Sequence, residues 1–140
     1  MLRKLKEKDV PYMLEWMHDK EITQNFRNGT YTEVMVKNFI KSSYNDKNRH
    51  FAFVDTNDIY LGTISLKNIS YQDKNAEYAI VTRRSAQGTG QAYCATKEIL
   101  EYAFHTLKLE KVYLNVLEEN VRANQFYKKC GFELEGQARH

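Results

Sequence analysis

The sequence predicts a single domain of the mixed α/β class over residues 1–140. The first observation is the order of the periodic segments, which runs strand, two helices, three strands, helix, strand, helix and strand. The second is composition: 140 residues with 42% apolar side chains, one proline and six glycines can bury a core and contain no linker. We therefore expect one unit without internal repeats or separate domains.

Six segments have the composition of strands. They cover residues 2–5, 50–55, 59–67, 75–82, 111–117 and 132–136. The turn Thr56-Asn57-Asp58 joins the second and third of them as a hairpin, and Gly62 within the third strand predicts a bulge. The second, third and fourth strands therefore form a meander.

Four helices fill the gaps between these strands. They begin after Asp9, Thr32, Gly90 and Asn120. The third helix ends near Leu107, and Gly131 closes the fourth in the usual place for a C-terminal glycine. Asp9, Thr32 and Asn120 are the residue types that accept backbone N–H groups at a helix start, so we expect all three to be caps.

Charge and composition argue against several classes of function. The chain carries 21 basic and 18 acidic residues, a net charge of +3, which is too small to predict nucleic-acid binding. No apolar run approaches the roughly 20 residues of a membrane helix, and the N-terminus has no signal core, so we expect a soluble cytoplasmic protein. Cys94 and Cys130 form no CxxC pair. We predict no metal, because no metal-ligand spacing joins the four histidines, His18, His50, His105 and His140, which we interpret as surface or loop residues.

The turn between the fourth strand and the third helix is the first candidate site. Gly88 and Gly90 lie at a helix start, where free N–H groups and the helix dipole favour an anion, and Arg83 and Arg84 precede them. No Lys-Ser/Thr follows, as a P-loop requires, and Tyr93 stands where a Rossmann fingerprint has its third glycine. Taken alone, the turn is either an anion cradle or a tight left-handed turn.

A second motif follows in the segment "NVLEENVRANQFYKKCGFELEG". Asn120, Ala123, Tyr127 and the pair Gly131-Phe132 occupy the positions of Asn-x-x-Ala-x-x-x-Tyr-x-x-x-Gly-Phe. Together the turn and this helix resemble the GNAT superfamily of acyl-CoA-dependent N-acetyltransferases, and the resemblance covers nearly the whole chain. It implies a mixed, mostly antiparallel central sheet flanked by helices, with acetyl-CoA as co-substrate.

The resemblance also implies which residues hold the coenzyme. The pyrophosphate loop would comprise Ser85, Gln87, Gly88, Thr89, Gly90 and Gln91. Ser85 stands where the family usually has Gln or Arg, so either one pyrophosphate contact is weaker here or Arg83 or Arg84 supplies it. Backbone N–H groups around Ile80 to Thr82, in a strand that a bulge splays open, would polarise the thioester carbonyl. The remaining cleft residues would be Asn115, Asn120 and Ala123.

Two side chains are candidates for catalysis. Tyr127 matches the family tyrosine that protonates the leaving thiolate, although its alternative is an ordinary core residue. Glu77 matches a position where many members have a base, acting through water or with a raised pKa, and its alternative is a solvent-facing strand residue.

The resemblance implies a small-molecule or peptide amine as the acceptor. The upstream segments resemble the branch of ribosomal-protein and amino-sugar acetyltransferases, in which the wall of the acceptor site would fall on residues 16–31, with Trp16, Asp19, Glu21, Phe26 and Tyr31. An amino-sugar nucleotide is slightly favoured over a protein N-terminus, an aminoglycoside or a polyamine. An acyl-CoA-binding module without turnover is the alternative to an enzyme. The family's last strand, expected after the one begun at Phe132, is missing from this sequence, so a truncated fragment and a homodimer that completes the sheet both stay open.

Overall fold

The centre of the fold is a six-stranded sheet. The computed structural model describes residues 1–23, 31–115, 121–133 and 137–139. The strands within those ranges are β1 (Leu2–Lys4), β2 (Arg49–Val54), β3 (Tyr60–Ser70), β4 (Asn75–Thr82), β5 (Lys111–Tyr113) and β6 (Gln137–Arg139). They lie side by side in sequence order, and every neighbouring pair is antiparallel except β4 and β5. The predicted mixed, mostly antiparallel sheet is confirmed.

Helices lie between the strands, as the order of segments predicts. They are α1 (Val10–Met17), α2 (Lys20–Thr23), α3 (Glu33–Lys41), α4 (Gln91–Glu101) and α5 (Val121–Lys129). A π-helical stretch, Tyr102–Thr106, continues α4 to the predicted end near Leu107. The Thr32 cap of α3 is confirmed, because its hydroxyl accepts the N–H of Met35 at 3.2 Å.

Asp9 does not cap α1, although it precedes it. A short 3-10 turn, Glu7–Asp9, leads into the helix, and the Asp9 carboxylate is fully buried and turned towards β1. Arg3 donates to both of its oxygens at 2.8 Å, and the Lys6 N–H adds a third hydrogen bond at 2.9 Å. The Asp9 carboxylate therefore pairs with the Arg3 guanidinium and makes no capping hydrogen bond at the start of α1.

Gly62 lies at a bulge, as predicted. Phe53 pairs with Gly62 and Val54 with Tyr60, so β3 has one extra residue at this point. A Cβ atom on Gly62 would lie 2.3 Å from the Val81 carbonyl oxygen, so no larger residue fits. The close approach of two backbones explains this glycine.

The bulge expected around Ile80 to Thr82 is absent. The pairing of β3 with β4 is continuous from Glu77 to Thr82, and its irregularity lies between Lys67 and Ser70. Within the described residues, β5 pairs with β4 only along Asn75–Glu77, and none of them pairs with the rest of β4 on that side.

The sheet separates two apolar clusters. On one side, α4 packs against the sheet and buries a cluster that includes Tyr78 of β4, Ile99 of α4 and Val112 of β5. On the other side, α1 and α3 bury a second cluster that includes Met13 and Val36. The alternation of side chains along each strand supplies both clusters from one sheet.

The C-terminal strand differs in position from the prediction. Phe132 and Glu133 are not in a strand, and the buried Phe132 ring packs against Tyr78 and Tyr127 instead. The strand β6 begins at Gln137 and pairs with β5. The remaining residues of the predicted strands, 116–117 and 134–136, lie outside the described residues, as do Phe26, Asn120 and His140.

Candidate active site

The glycine-containing turn has the backbone that its sequence predicts. Gly88 and Gly90 have φ angles of 77° and 85°, and Gly90 is the residue before the first turn of α4. A Cβ atom at either glycine would meet nothing within 4 Å, so the space beside the turn is open. Left-handed backbone therefore explains the glycines, and their missing side chains leave the helix N-terminus accessible.

A cleft of about 710 Å³ lies between this turn, β4 and α5. The residues that line it are Ile22, Ile80, Val81, Thr82, Arg84, Ala86, Gln87, Gly88, Gly90, Ala92, Tyr93, Arg122, Ala123, Phe126, Tyr127 and Lys129. Three of these are cationic, and none of the described residues that line the cleft is acidic. A cleft with this charge, beside a helix N-terminus, suits an anionic ligand.

The backbone of β4 offers hydrogen-bond donors to this cleft. The Arg83 N–H donates to the Leu61 carbonyl at 2.8 Å, which identifies a hydrogen-bonded pair of the β3–β4 ladder. Bonded and non-bonded pairs alternate along an antiparallel ladder, so the N–H groups of Ile80 and Thr82 face away from β3. They face the side on which β5 has diverged.

Tyr127 forms the opposite wall of the cleft. Its ring makes edge contacts with Tyr78, Phe126 and Phe132 at centroid distances of 5.5 to 5.9 Å. Burial, with a smaller contribution from the neighbouring Cys130, raises the pKa of the Tyr127 phenol above its usual value. The hydroxyl therefore stays protonated at neutral pH and can donate a proton.

The structure brings together most of the predicted coenzyme residues. Those that line the cleft are Ile80, Thr82, Gln87, Gly88, Gly90 and Ala123, and the predicted catalytic residue Tyr127 lines it with them. Ser85, Thr89 and Gln91 belong to the turn but do not line the cleft. The Thr89 hydroxyl donates instead to the Ala86 carbonyl at 2.6 Å, inside the turn.

The two arginines before the turn differ in their contacts. Arg83 is tied to the body of the protein: its guanidinium bonds to Glu15 at 2.8 Å and to the Tyr60 carbonyl at 3.2 Å, and it stacks on Tyr12. It does not line the cleft, so it is not placed to replace the contact expected at Ser85. Arg84 lines the cleft and pairs with Asp19 at 2.6 Å.

Glu77 lies on the other face of the sheet from Tyr127. Its neighbour Tyr78 packs with Tyr127, and successive strand residues point to opposite faces. The Glu77 carboxylate accepts hydrogen bonds from Asn68 at 3.1 Å and Asn115 at 3.2 Å, and Lys67 is 3.6 Å away. Asn115 therefore contacts Glu77 and does not line the cleft.

A second cavity, which we call the inner cavity, lies on the Glu77 face of the sheet. It has a volume of about 370 Å³. Its lining consists of Met13, Trp16, Met17, Tyr31, Met35, Val36, Phe39, His50, Thr63, Ser65, Lys67, Ala79, Ile80 and Val81. Ile80 and Val81 line both cavities, so the two meet at the open part of β4.

The inner cavity contains part of the predicted acceptor wall and a histidine that the sequence did not indicate. Trp16 and Tyr31 line it, whereas Asp19 pairs with Arg84 and the Glu21 side chain lies outside the described residues. His50 was predicted on the surface but lies in β2, half-buried, with Nδ1 2.6 Å from the Ser65 hydroxyl. The available signal was its position at the start of the apolar segment 50–55, which the sequence already predicts as a strand.

Comparison with known proteins gives the family. The profile of the acetyltransferase (GNAT) domain matches residues 1–133. The chain belongs to this family. This match confirms the predicted resemblance to the GNAT superfamily. At the level of the family, it also confirms the predicted chemistry, which is acetyl-CoA-dependent N-acetyl transfer.

The most similar relatives include spermidine acetyltransferases. The spermidine N(1)-acetyltransferase of Vibrio cholerae is 34% identical over 96 residues, which are 69% of this chain and 56% of that protein. The Escherichia coli K12 enzyme of the same name is 28% identical over 140 residues, 99% of this chain and 75% of that protein. In these alignments the chain therefore spans between about half and three quarters of its relatives' length.

Solved structures agree with the family assignment. The Vibrio cholerae spermidine N-acetyltransferase in complex with CoA and spermine superposes with a TM-score of 0.87 and 28% identity, covering 97% of this chain and 82% of that one. A ribosomal-protein or amino-sugar branch is not supported, because the relatives with a named substrate are spermidine enzymes. The same Vibrio enzyme also has a dodecameric structure.

Two features are absent from the described residues. None of their helices is long and apolar enough to cross a membrane. They also contain no group of three or more His, Cys, Asp or Glu side chains that could hold a metal ion.

Proposed function

We propose that this chain transfers an acetyl group from acetyl-CoA to the primary amine of a small alkylamine, the class to which spermidine belongs. The observation that carries the proposal is the cleft itself. Three cationic residues, a glycine turn at a helix N-terminus, the outward N–H groups of β4 and the protonated Tyr127 all face one space.

The turn and the cationic residues would hold the phosphates. The N–H groups in the first turn of α4 and the side chains of Arg84, Arg122 and Lys129 provide the positive charge. The pantetheine arm of the coenzyme is an extended amide chain, and the side of β4 that pairs with none of the described residues beyond Glu77 can bind such a chain by backbone hydrogen bonds. Bound in this way, acetyl-CoA supplies an activated acetyl thioester between β4 and α5.

The chain's own groups then serve the transfer. The N–H groups of Ile80 or Thr82 stabilise the oxyanion that forms when the amine attacks the carbonyl carbon. Tyr127 donates its phenolic proton to the leaving sulfur as the carbon–sulfur bond breaks. Glu77, on the inner-cavity face, is our proposed base for the amine proton, acting through water; Asn68 and Asn115 hold its carboxylate in place.

The inner cavity is the proposed acceptor site. It meets the cleft at Ile80 and Val81, so an amine in it reaches the thioester from the side that the coenzyme leaves open. Met13, Trp16 and Phe39 provide apolar contacts for the methylene groups of an alkylamine. The names of the Vibrio cholerae and Escherichia coli relatives make spermidine the first acceptor to assay.

Calorimetric titration with acetyl-CoA tests the coenzyme site. We expect micromolar binding that Gly90→Glu abolishes, because the new carboxylate repels the phosphates and L residues are strained at this φ angle. Gln72→Glu, which adds the same charge on the exposed turn after β3, is the matched control and should bind normally. Release of free CoA in the presence of spermidine or a monoamine then tests turnover.

The outcomes separate an enzyme from a binding module. Binding without CoA release on any amine would favour an acyl-CoA-binding module. No binding of acetyl-CoA at all would overturn the proposal.

A further inference from the structure

The inner cavity has an unusual balance of charge for a site that binds amines. Among the described residues that line it, the ionisable ones are Tyr31, His50 and Lys67, and none is a carboxylate. The Glu77 carboxylate, 3.6 Å from the Lys67 ammonium, does not line the cavity and accepts hydrogen bonds from Asn68 and Asn115. The charged group among these lining residues is therefore the ammonium of Lys67.

His50 reports how this cavity treats a positive charge. Its imidazole packs against Phe39 at a centroid distance of 4.8 Å and bonds to Ser65. Burial and, second, the charge of Lys67 lower the pKa of His50 from 6.5 to about 4. A carboxylate oxygen of Glu77 lies only 3.6 Å from Lys67 Nζ. The charge of Lys67 nevertheless lowers the pKa of His50, which means that it disfavours the protonated imidazole.

An ammonium group placed in the cavity meets the same two penalties. It loses water, and it lies near Lys67 with no carboxylate among the described residues of the wall to replace the water. The apolar residues of the wall, by contrast, favour a hydrocarbon body. A polyamine carries a second charged amine a few methylene groups from the first, so the second amine would also lie close to the walls of this cavity.

We propose that the inner cavity selects an acceptor with a single amine on an apolar body, and that Lys67 is the specificity-determining residue that rejects a second charged amine. The proposal rests on the proposed function, because it takes the inner cavity as the acceptor site. The attacking amine enters uncharged, and its apolar body packs against the walls formed by α1 and α3.

Two amines of equal length test the selection. Hexylamine and hexamethylenediamine have the same six-carbon chain, and only the second has an amine at both ends. Their affinities are measured by calorimetry with and without saturating CoA. We expect hexylamine to bind at least about tenfold more tightly than hexamethylenediamine. The second ammonium of the diamine would lie a few ångströms from Lys67, and repulsion between two unit charges at that distance near a protein surface weakens binding by at least about tenfold. Equal affinity, tighter binding of the diamine or of spermidine, or no binding of hexylamine would overturn the proposal.

Three variants assign the selection to Lys67. Lys67→Gln should reduce the ratio of the two affinities by about tenfold. Lys67→Arg keeps the charge and should keep the ratio, and so should Lys41→Gln, which removes one charge from an exposed position on α3 outside the cavity. A ratio that does not change in Lys67→Gln would contradict the role of Lys67.

The two proposals fail in different ways. Loss of the hexylamine preference with acetyl-CoA binding and turnover intact would refute the selection and leave the acetyltransferase. A hexylamine preference without acetyl-CoA binding would refute the acetyltransferase and leave the selection.

Discussion

Tyr127 combines a structural and a chemical role in one side chain. Its ring packs on Tyr78, Phe126 and Phe132, and its hydroxyl is the proposed acid. Tyr127→Phe keeps the ring and removes the proton, so we expect kcat to fall by about 10² to 10⁴ with little change in the Kd of acetyl-CoA. Tyr93→Phe, in the same cleft, is the matched control and should keep kcat. Equal losses in the two variants would argue that the Tyr127 hydroxyl has no special role.

His50 links the inner cavity to the pH dependence of folding. Its pKa is about 4 in the folded chain and 6.5 in the unfolded chain, so the unfolded chain binds more protons between these values. The contribution to stability is complete above pH 6.5 and is lost as the pH falls to about 4, by up to about 3 kcal/mol. Urea unfolding from pH 7 downwards should show this slope, and His50→Gln, which can still bond to Ser65, should reduce it. His18→Gln is the control, and an equal reduction there would contradict the assignment.

At the scale of elements, two glycines serve the site in different ways. A Cβ atom on Gly62 in β3 would lie 2.3 Å from the Val81 carbonyl oxygen, whereas one on Gly88 would meet nothing within 4 Å. We therefore expect Gly62→Ala to lower the free energy of unfolding by about 3 kcal/mol through overpacking. Gly88→Ala should cost only about 1 kcal/mol, for its positive φ angle. Urea denaturation of both variants measures the difference, and similar values would mean that β3 and β4 can move apart at low cost.

Most elements, and the turn before α4, could be predicted from the sequence because their signals are local. Strand composition, the Thr32 cap and the glycines of the turn depend on neighbouring residues, and all appear in the structure. The role of Asp9 could not be predicted, because its partner Arg3 reaches it from another element. The local preference of Asp9 for capping is overridden by its buried ion pair with Arg3, which forms only when β1 packs beside the start of α1.

The arrangement of the candidate site shows the same limit. Alternation along β4 does place Glu77 and Tyr78 on opposite faces, so the separation of Glu77 from the Tyr127 side was available in the sequence. The contact between Asn115 and Glu77 was not, because it depends on where β5 stops pairing with β4. Resemblance to a family assigned these residues to one site, whereas in the structure they lie on the two faces of the sheet, each of which has its own cavity, and the two cavities share Ile80 and Val81 in their walls.

At the scale of the whole molecule, one sheet supports two apolar clusters, and we propose that the chain therefore unfolds as a single cooperative domain. Met13 belongs to the cluster under α1, Ile99 belongs to the cluster under α4, and both are fully buried. Ile99→Val should cost about 1 kcal/mol and Met13→Ala about 2 to 5 kcal/mol. Because the two residues share no cluster, the double variant should equal their sum within about 0.5 kcal/mol, with one transition in urea by both circular dichroism and tryptophan fluorescence. Two separate transitions would show that each face of the sheet folds as its own unit, and the cavities that meet at β4 would then belong to parts of different stability.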